Sequence, residues 1–534
     1  MINENVIDTS HMGDFVVKTY EHLKGKRVNW ESHWKEIADF IIPNKDDIWG
    51  EFTVGEKKTN KIYDSTGPHA NEILASALHG MLTNPMTTWF GLASGDPEID
   101  KDDDVRKYYQ KTVQILHDTM NNSNFQTEVH EFYLDLCSFG TSVMIVEDDK
   151  EEVVRFQSRP VYQCYVMESS NGMIDSIFRR YELTYKQIVQ KFGKDSFTED
   201  ENRSYSKDPT KAFEIIHGVF PKGDFNPFVS SMKNSKKFHS IHVFRDTKKV
   251  LKESGFFEFP YIVSRWTKLS HEVYGRSPGM KALPDIKMSN EVMKTTIRSA
   301  QKTVEPPMQA PDDGMVLPLR TAPGSINYYR AGSSDRIEPL VTGARVDFGL
   351  QFIENLQRKI EKAYFIDQLQ LNPQGPQMTA TEVMQRTEES LRLLGPVLGR
   401  QHHEFLKPLV DRVFNIAQRR GILPTPPQIL TDKPVKVQYS SMIARAQRAS
   451  EADNINRVMT LTAPFMQISP DMADNIDFDE MFRFAANLYN LPQDIIVDQE
   501  DVLENRKAKA QAMQEQQQAM AANQEADTVQ KLRG

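Results

Sequence analysis

From Leu283 to Val304 one face repeats at three- and four-residue steps: Leu283, Ile286, Asn290, Met293, Ile297, Ala300 and Val304. Pro306-Pro307 stops the run, and Pro284 is expected as its first helical residue. About 21 helical residues at 1.5 Å each make a rod of roughly 30 Å. So narrow a stripe is a seam against other helices, as in a bundle or ring. A second seam follows in Phe348–Phe365, through Phe352, Ile353, Leu356, Ile360 and Ala363. Between them Glu305–Val341 is rich in Pro and Gly, with strand-like Met315–Leu319 and Ile326–Tyr329. The pattern is long helix, small β insertion, long helix.

At 534 residues the chain has length for about three or four structural units. Its 39% apolar and 26% charged residues exclude disorder throughout. No apolar run nears the ~18 residues of a membrane span, and Met1–Gly13 lacks the pattern of a secretory signal. A net charge of −9 argues against a general cationic coat for nucleic acid, so DNA contacts must be local. Cys137 and Cys164 read as two buried thiols, with a disulfide or metal pair as the lesser alternative.

The first 95 residues read as helical: one face through Phe15, Tyr20 and Leu23, another from Trp30 to Ile41, and a helix over His69–Met81. Trp89–Leu92 predicts a short strand and Val105–Phe139 more helix. Period-2 alternation predicts strands at Ser142–Glu147, Val153–Gln157, Ile177–Glu182, Phe213–Phe220, Phe238–Arg245 and Tyr261–Trp266. Thr379-Ala380-Thr381-Glu382 fits a capping box opening a helix to about Arg420, with kinks at Gly395-Pro396 and Pro408. A strand at Val435–Tyr439, helices at Ala444–Pro464 and Asp479–Tyr489, and a polar helix-forming tail complete the pass.

Catalytic constellations are missing. Gly218–Gly223 continues Asp224-Phe225 where a phosphate loop needs Lys-Ser/Thr, and no G-x-S-x-G, H-E-x-x-H or C-x-x-C occurs. The Asp100-x-Asp102-x-Asp104 run puts Lys111 at the twelfth position, where a calcium loop would need Glu. His239 and His242, three apart in a strand, point to opposite faces. No catalytic residue, cofactor or metal site is expected.

Tyr274-Gly275-Arg276-Ser277-Pro278-Gly279, Pro306-Pro307, Met378–Val383, Gly395–Arg400, Leu406-Lys407-Pro408 and Tyr439–Gln447 occur in an order that resembles the head-to-tail connector (portal) proteins of short-tailed, podovirus-type phages. The resemblance covers about residues 12–505. It implies a mainly helical α+β portal fold: a wing (1–276), stem helix 1 (277–304), a clip (305–344), stem helix 2 (345–366), a tunnel loop (367–378), a long wing helix (379–420), a crown (421–499) and a C-terminal barrel or tail (500–534). It also implies a homododecamer at the portal vertex of the virion, assembled in host cytoplasm, with double-stranded DNA passing through its channel. Implied partners are the terminase large subunit, a tail adaptor protein, major capsid and scaffolding proteins and internal core proteins, with no membrane. A DNA-processing enzyme, such as a packaging nuclease or ATPase, is the alternative, disfavoured by the missing phosphate loop.

Three sets of residues carry expectations. Ile286, Met293, Ile297, Leu356 and Ile360 form the subunit seam, with packing inside one subunit as the alternative. Lys287, Lys294, Arg298 and Lys302 form a stripe facing either the DNA channel or acids of the same or a neighbouring subunit. Gln368–Thr381 holds no charged residue, and Gln368, Gln370, Asn372, Gln374 and Gln377 would form a neutral collar that slides on DNA.

Overall fold

A computed structural model describes residues 9–45, 55, 58–96, 98–224, 236–309, 326, 338–339, 346–369, 393–430, 436–439, 458–462, 464, 477–488, 495–497 and 501–516. Its helices are α1 (Thr9–Phe40), α2 (Thr66–Leu82), α3 (Asp103–Asn122), α4 (Phe125–Phe139), α5 (Tyr185–Phe192), α6 (Glu199–Tyr205), α7 (Pro278–Val304), α8 (Val346–Ala363), α9 (Ile366–Leu369), α10 (Lys407–Arg419) and α11 (Phe478–Leu488). Its strands are β1 (Phe90–Ala93), β2 (Thr141–Asp149), β3 (Val153–Arg159), β4 (Cys164–Glu168), β5 (Ile174–Thr184), β6 (Ala212–Pro221), β7 (Phe238–Phe244), β8 (Val250–Phe256), β9 (Tyr261–Arg265), β10 (Met308–Gln309), β11 (Glu338–Pro339) and β12 (Lys436–Tyr439). The sheets run β4-β5-β6-β7-β8, β3-β2-β9, β1-β12 and β10-β11. The fold is mainly helical α+β, as expected. One compact unit comprises Met1–His79, Thr127–Val146 and Phe156–Phe405; the other comprises Gly80–Gln126, Glu147–Arg155 and Leu406–Gly534.

In the first unit α1 is a single helix of 32 residues, where the sequence suggested two. The apolar pattern lapses at Arg27, which is nevertheless buried. Its guanidinium lies 3.4 Å from the Tyr165 ring centroid, donates to the carbonyls of Val161 (3.2 Å) and Cys164 (2.8 Å), and pairs with Glu31 at 2.8 Å. A buried charge is tolerated only when paired and hydrogen-bonded. Here carbonyls, a carboxylate and a ring meet it, so the helix continues.

The five-stranded sheet is covered on both faces. Met12, Val16 and Tyr20 of α1 pack on Phe178, Ile216, Phe220, Ile241 and Val243. On the other face Tyr185 and Ile188 of α5, with Phe197, cover Tyr181, Ile215 and Phe244. Two buried faces explain the nearly unbroken apolar run through β6, in which alternation is faint. Strands β4 and β8 and helices α5 and α6 were not foreseen. His239 faces Phe220, with ring centroids 5.5 Å apart, whereas His242 stacks on His217 at 3.9 Å. The two histidines of the strand do point apart.

That stack is closed on its edges. Tyr261 Oη lies 3.0 Å from His217 Nδ1, Ser240 Oγ 2.9 Å from Nε2, and Tyr181 Oη 3.0 Å from His242 Nδ1. Burial, reinforced by Lys191, Lys252 and Arg179, pushes His242 down to about 3, and burial beside His242 pushes His217 well down.

Strand β9 pairs with β2 from Thr141↔Arg265 to Ile145↔Tyr261. Arg265 is buried: Nε and Nη2 grip the Glu404 carboxylate at 3.1 and 2.7 Å, while Nη1 reaches Glu168 and the Val273 carbonyl. Gln401 accepts from Ser264 Oγ at 2.7 Å and donates to the Arg265 carbonyl at 3.0 Å. Glu404 lies in a π-helical turn, His402–Leu406, just before Pro408. Pro408 has no N–H to bond the carbonyl four residues earlier, and the helix widens into a π-turn just before it. Beside this lock Gly140 takes φ +76°, and a Cβ there would meet the Gly275 carbonyl oxygen at 2.4 Å. A Cβ on Gly275 would in turn come 2.8 Å from Arg265 Cβ and closer still to the Gly140 carbonyl oxygen, which explains the glycine in Tyr274-Gly275-Arg276.

In the second unit β1 pairs with β12, Phe90↔Tyr439 to Ala93↔Lys436. Leu92, Val105, Tyr108, Tyr109 and Leu430 form its core. The acidic run serves α3: Asp102 accepts from the amides of Asp104 and Val105, and Asp100 from Ser94. Residues 501–516 are helical, joined to α11 through Arg506 and Asp479 at 2.6 Å. Of the helix expected at Ala444–Pro464, only 458–462 and 464 are described, and these are helical.

Removing one partner of the buried Arg265–Glu404 pair leaves the other undercompensated, Arg265 with Glu168 alone or Glu404 with Arg400 alone. Arg265→Ala and Glu404→Ala are therefore each expected to cost about 3–5 kcal/mol in urea unfolding. For His242 the folded pKa lies below the unfolded value, so the neutral ring stabilises fully above about pH 6.5. That contribution falls away as pH drops toward about 3. At about pH 4.5 the loss should be on the order of 2 kcal/mol, and unfolding of His242→Phe should depend less on pH over that window.

Candidate functional site: the two-helix stem

Ser277 starts α7. Its Oγ accepts from the Met280 amide at 2.9 Å and donates to the Ser138 carbonyl at 2.6 Å. Pro278 is the first helical residue, so Pro284 lies inside the helix and not at its start. With 27 residues, α7 spans about 40 Å. α8 returns antiparallel to it. Near the base a Cβ on Gly279 would come 3.0 Å from Tyr364 Oη; farther along, one on Gly349 would come 2.5 Å from Thr296 Oγ1.

A strap from the N-terminal region fastens the middle. Asn290 Oδ1 accepts from the amides of Tyr63 (2.7 Å) and Asp64 (3.1 Å). The Asp64 carboxylate accepts from Ser289 on α7, Thr66, and Gln357 Nε2 on α8 at 3.4 Å. Burial would raise the Asp64 carboxyl, but these bonds hold it below its ordinary value.

The seam runs differently from its expected course. Ile286, Leu356 and Ile360 are buried within one chain, Met293 is half-buried, and Ile297 is 41% exposed. Thr296 takes the buried position because its small side chain meets Gly349 where the helices approach most closely. Three of the five seam residues thus pack inside the subunit, and a second copy could reach only Met293 and Ile297. Beyond Thr296, α7 has no buried residue, nor has α8 before Ile353. That distal half exposes Ile297, Val304, Phe348, Leu350 and Phe352, the two phenylalanines stacked at 6.4 Å.

The basic stripe lies on the exposed side. Lys287 pairs with Glu36 at 3.1 Å and Lys294 with Glu291 at 3.3 Å. Arg298 and Lys302 are exposed and have no ion pair among the described residues. After α7, β10 pairs with β11 through Met308↔Pro339 and Gln309↔Glu338. The insertion therefore leaves and returns through a two-stranded neck. Nearly all of 310–337, including Met315–Leu319, lies outside the described residues.

At the other end α8 closes with Phe365 at φ +59°, a left-handed conformation uncommon for an aromatic residue, and α9 follows. Gln368 is in α9, so the expected loop begins as a helical turn. Gln370, Asn372, Gln374, Gln377 and the Thr379–Glu382 capping box lie outside the described residues. Cys137 and Cys164 are buried and free, and no His/Cys/Asp/Glu group among the described residues could hold a metal ion. The stem exposes both apolar and charged side chains.

Fold and site together define a mainly helical α+β protein organised on a two-helix stem with an inserted tip. Residues 15–497 match the family described as bacteriophage head to tail connecting protein. The chain is 31% identical over 527 residues to the "Portal protein" of Salmonella phage epsilon15, covering 96% of this chain and 94% of that one. It is 30% identical over 528 residues to the "Probable portal protein" of Bordetella phage BPP-1, covering 97% and 94%. The chain belongs to the phage head-to-tail connector family, whose members include portal proteins.

The Gly349–Thr296 contact can be tested by sign. Gly349→Ala should destabilise, by about 1–3 kcal/mol if the clash is not relieved. In a Thr296→Ala background the same change should be neutral or stabilising, since Ala favours helix over Gly by up to about 1 kcal/mol. Equal effects in both backgrounds, read from chemical unfolding, would refute the close contact.

Proposed function

We infer that twelve copies of this chain form a ring at the portal vertex of a phage capsid, through which double-stranded DNA enters and leaves. The supporting observation is the distal stem, where α7 and α8 expose Val304 (80%) and Phe348 (69%), uncovered among the described residues. Exposed apolar surface at the end of a long paired rod suits packing against copies of itself. In this reading the module beyond the β10–β11 neck docks first the terminase large subunit and later the tail adaptor. Capsid, scaffolding and internal core proteins meet the remaining parts. The chain has no catalytic role; DNA is cargo, and the uncharged segment after α9 touches it as a sliding collar. The stem cations have two natural counter-charges in such a ring: phosphates in the channel and carboxylates on the next copy. Native mass measurement and negative-stain imaging of the purified chain test the reading. A ring near twelve times 61.4 kDa with a central hole is expected; a strict monomer would overturn it.

A further inference from the structure

One row of side chains crosses the five-stranded sheet on the face that α5 covers. Arg179 of β5 stands opposite His217 of β6, His217 opposite His242 of β7, and His242 opposite Lys252 of β8. Directly opposed residues share a face with Cβ atoms about 5 Å apart, so the two stacked rings carry a cation on either side. The end of α5 adds a third. Lys191 Nζ lies 5.8 Å from the Tyr181 ring centroid and 5.6 Å from that of Phe192, whose ring is 5.0 Å from His242. Arg179 covers the Tyr181 ring at 4.5 Å, and the Tyr181 hydroxyl lies 3.0 Å from His242 Nδ1.

These cations meet little negative charge of their own chain. Glu182, Glu214 and Glu253 stand at odd spacings from the row and so on the opposite face of the sheet. Asp175 is four residues, about 13 Å, from Arg179, and α5 carries no acid. The charges acting on His242 are accordingly all cations: Lys191, Lys252 and Arg179. Among the described residues Lys252 and Arg179 form no ion pair; Arg179 gives Nε and Nη2 to the uncharged Gln163 amide at 3.2 and 3.1 Å. His242 is only 9% exposed, yet its Nε2 has no hydrogen-bond partner among the described residues. With the Tyr181 hydroxyl on Nδ1, Nε2 is left as a donor. Buried polar groups are ordinarily satisfied, and crowded cations repel unless an anion joins them.

We propose that Lys191, Lys252 and His242 Nε2 bind a phosphate group, with Arg179 adding to the field from the far end of the row. A phosphate offers more acceptor oxygens than a carboxylate and up to two charges, which suits three donors and two ammonium groups. The same chemistry is presented by free phosphate and by a nucleic acid backbone, and the experiment separates these sources. Once bound, the group ties the end of α5 to the edge strand β8 and gives the buried imidazole its missing acceptor. Every donor comes from one copy, so the test does not depend on ring formation.

Isothermal titration of the full-length chain tests this, with inorganic phosphate, sodium acetate and a short DNA duplex as separate probes at matched ionic strength. Saturable one-to-one binding of phosphate is expected, with none on adding chloride. Lys191→Gln and Lys252→Gln should each weaken it on the order of tenfold, and the double variant should abolish it. His242→Phe keeps a ring in the stack, removes the donor, and should weaken binding several-fold. Both lysines are exposed, and circular dichroism checks that each variant is folded. Phosphate should raise the melting temperature of the wild type and not that of the double variant. Saturable DNA binding that the double variant loses, with no response to free phosphate, keeps the assignment and makes nucleic acid the source. Binding of neither probe, binding unchanged in the double variant, or acetate bound as tightly as phosphate overturns it.

Discussion

The buried contact between Arg265 and Glu404 holds the first unit in order. Arg265 ends the strand that leads through residues 267–276 into the stem; Glu404 lies on the helical segment that follows it. More than a hundred residues depart and return between these two side chains, and the pair closes that excursion at its root. A dry ion pair adds little net stability compared with an apolar contact, because both charges must leave water. What it supplies is registry, since a slip on either side strands a charge. Gln401 and Glu404, three apart on one helix face, both bear on the same strand, so two side chains share the alignment.

The sequence was readable wherever one physical rule acted alone. Both stem helices, the insertion between them and six strands followed from spacing and proline placement. It misled where two rules competed. Arg27 occupies a core position of α1 as a charge, so the apolar count breaks although the helix does not. The Ser277 hydroxyl caps α7 and also donates to the carbonyl of Ser138, distant in sequence, so the helix starts at Pro278 and Pro284 is interior. At the distal seam hydrophobicity favours Ile297, but close approach favours a small residue beside Gly349, and Thr296 prevails. Strands β4 and β8 hid because neither carries clear alternation: β4 is buried over three successive residues, and β8, at the sheet edge, buries only Gly255.

Charge shows the same contrast of scales. The chain is acidic overall, and its cations are spent locally: Arg27 under α1, Arg265 at the stem root, lysines along α7. Buried ones also meet carbonyls and carboxylates as far as 139 residues away, which few sequence rules connect. Exposed ones follow helical spacing and are visible without a structure. Local electrostatics, not net charge, is where an acidic protein can still meet a polyanion or a copy of itself.

The neck formed by β10 and β11 has an evolutionary consequence. Since the insertion leaves and re-enters the stem at adjacent residues, its length and sequence are nearly independent of the geometry of the helices that carry it. A lineage could exchange the whole insertion while preserving the helices that carry it, and recombination inside this short ribbon would be enough to do so.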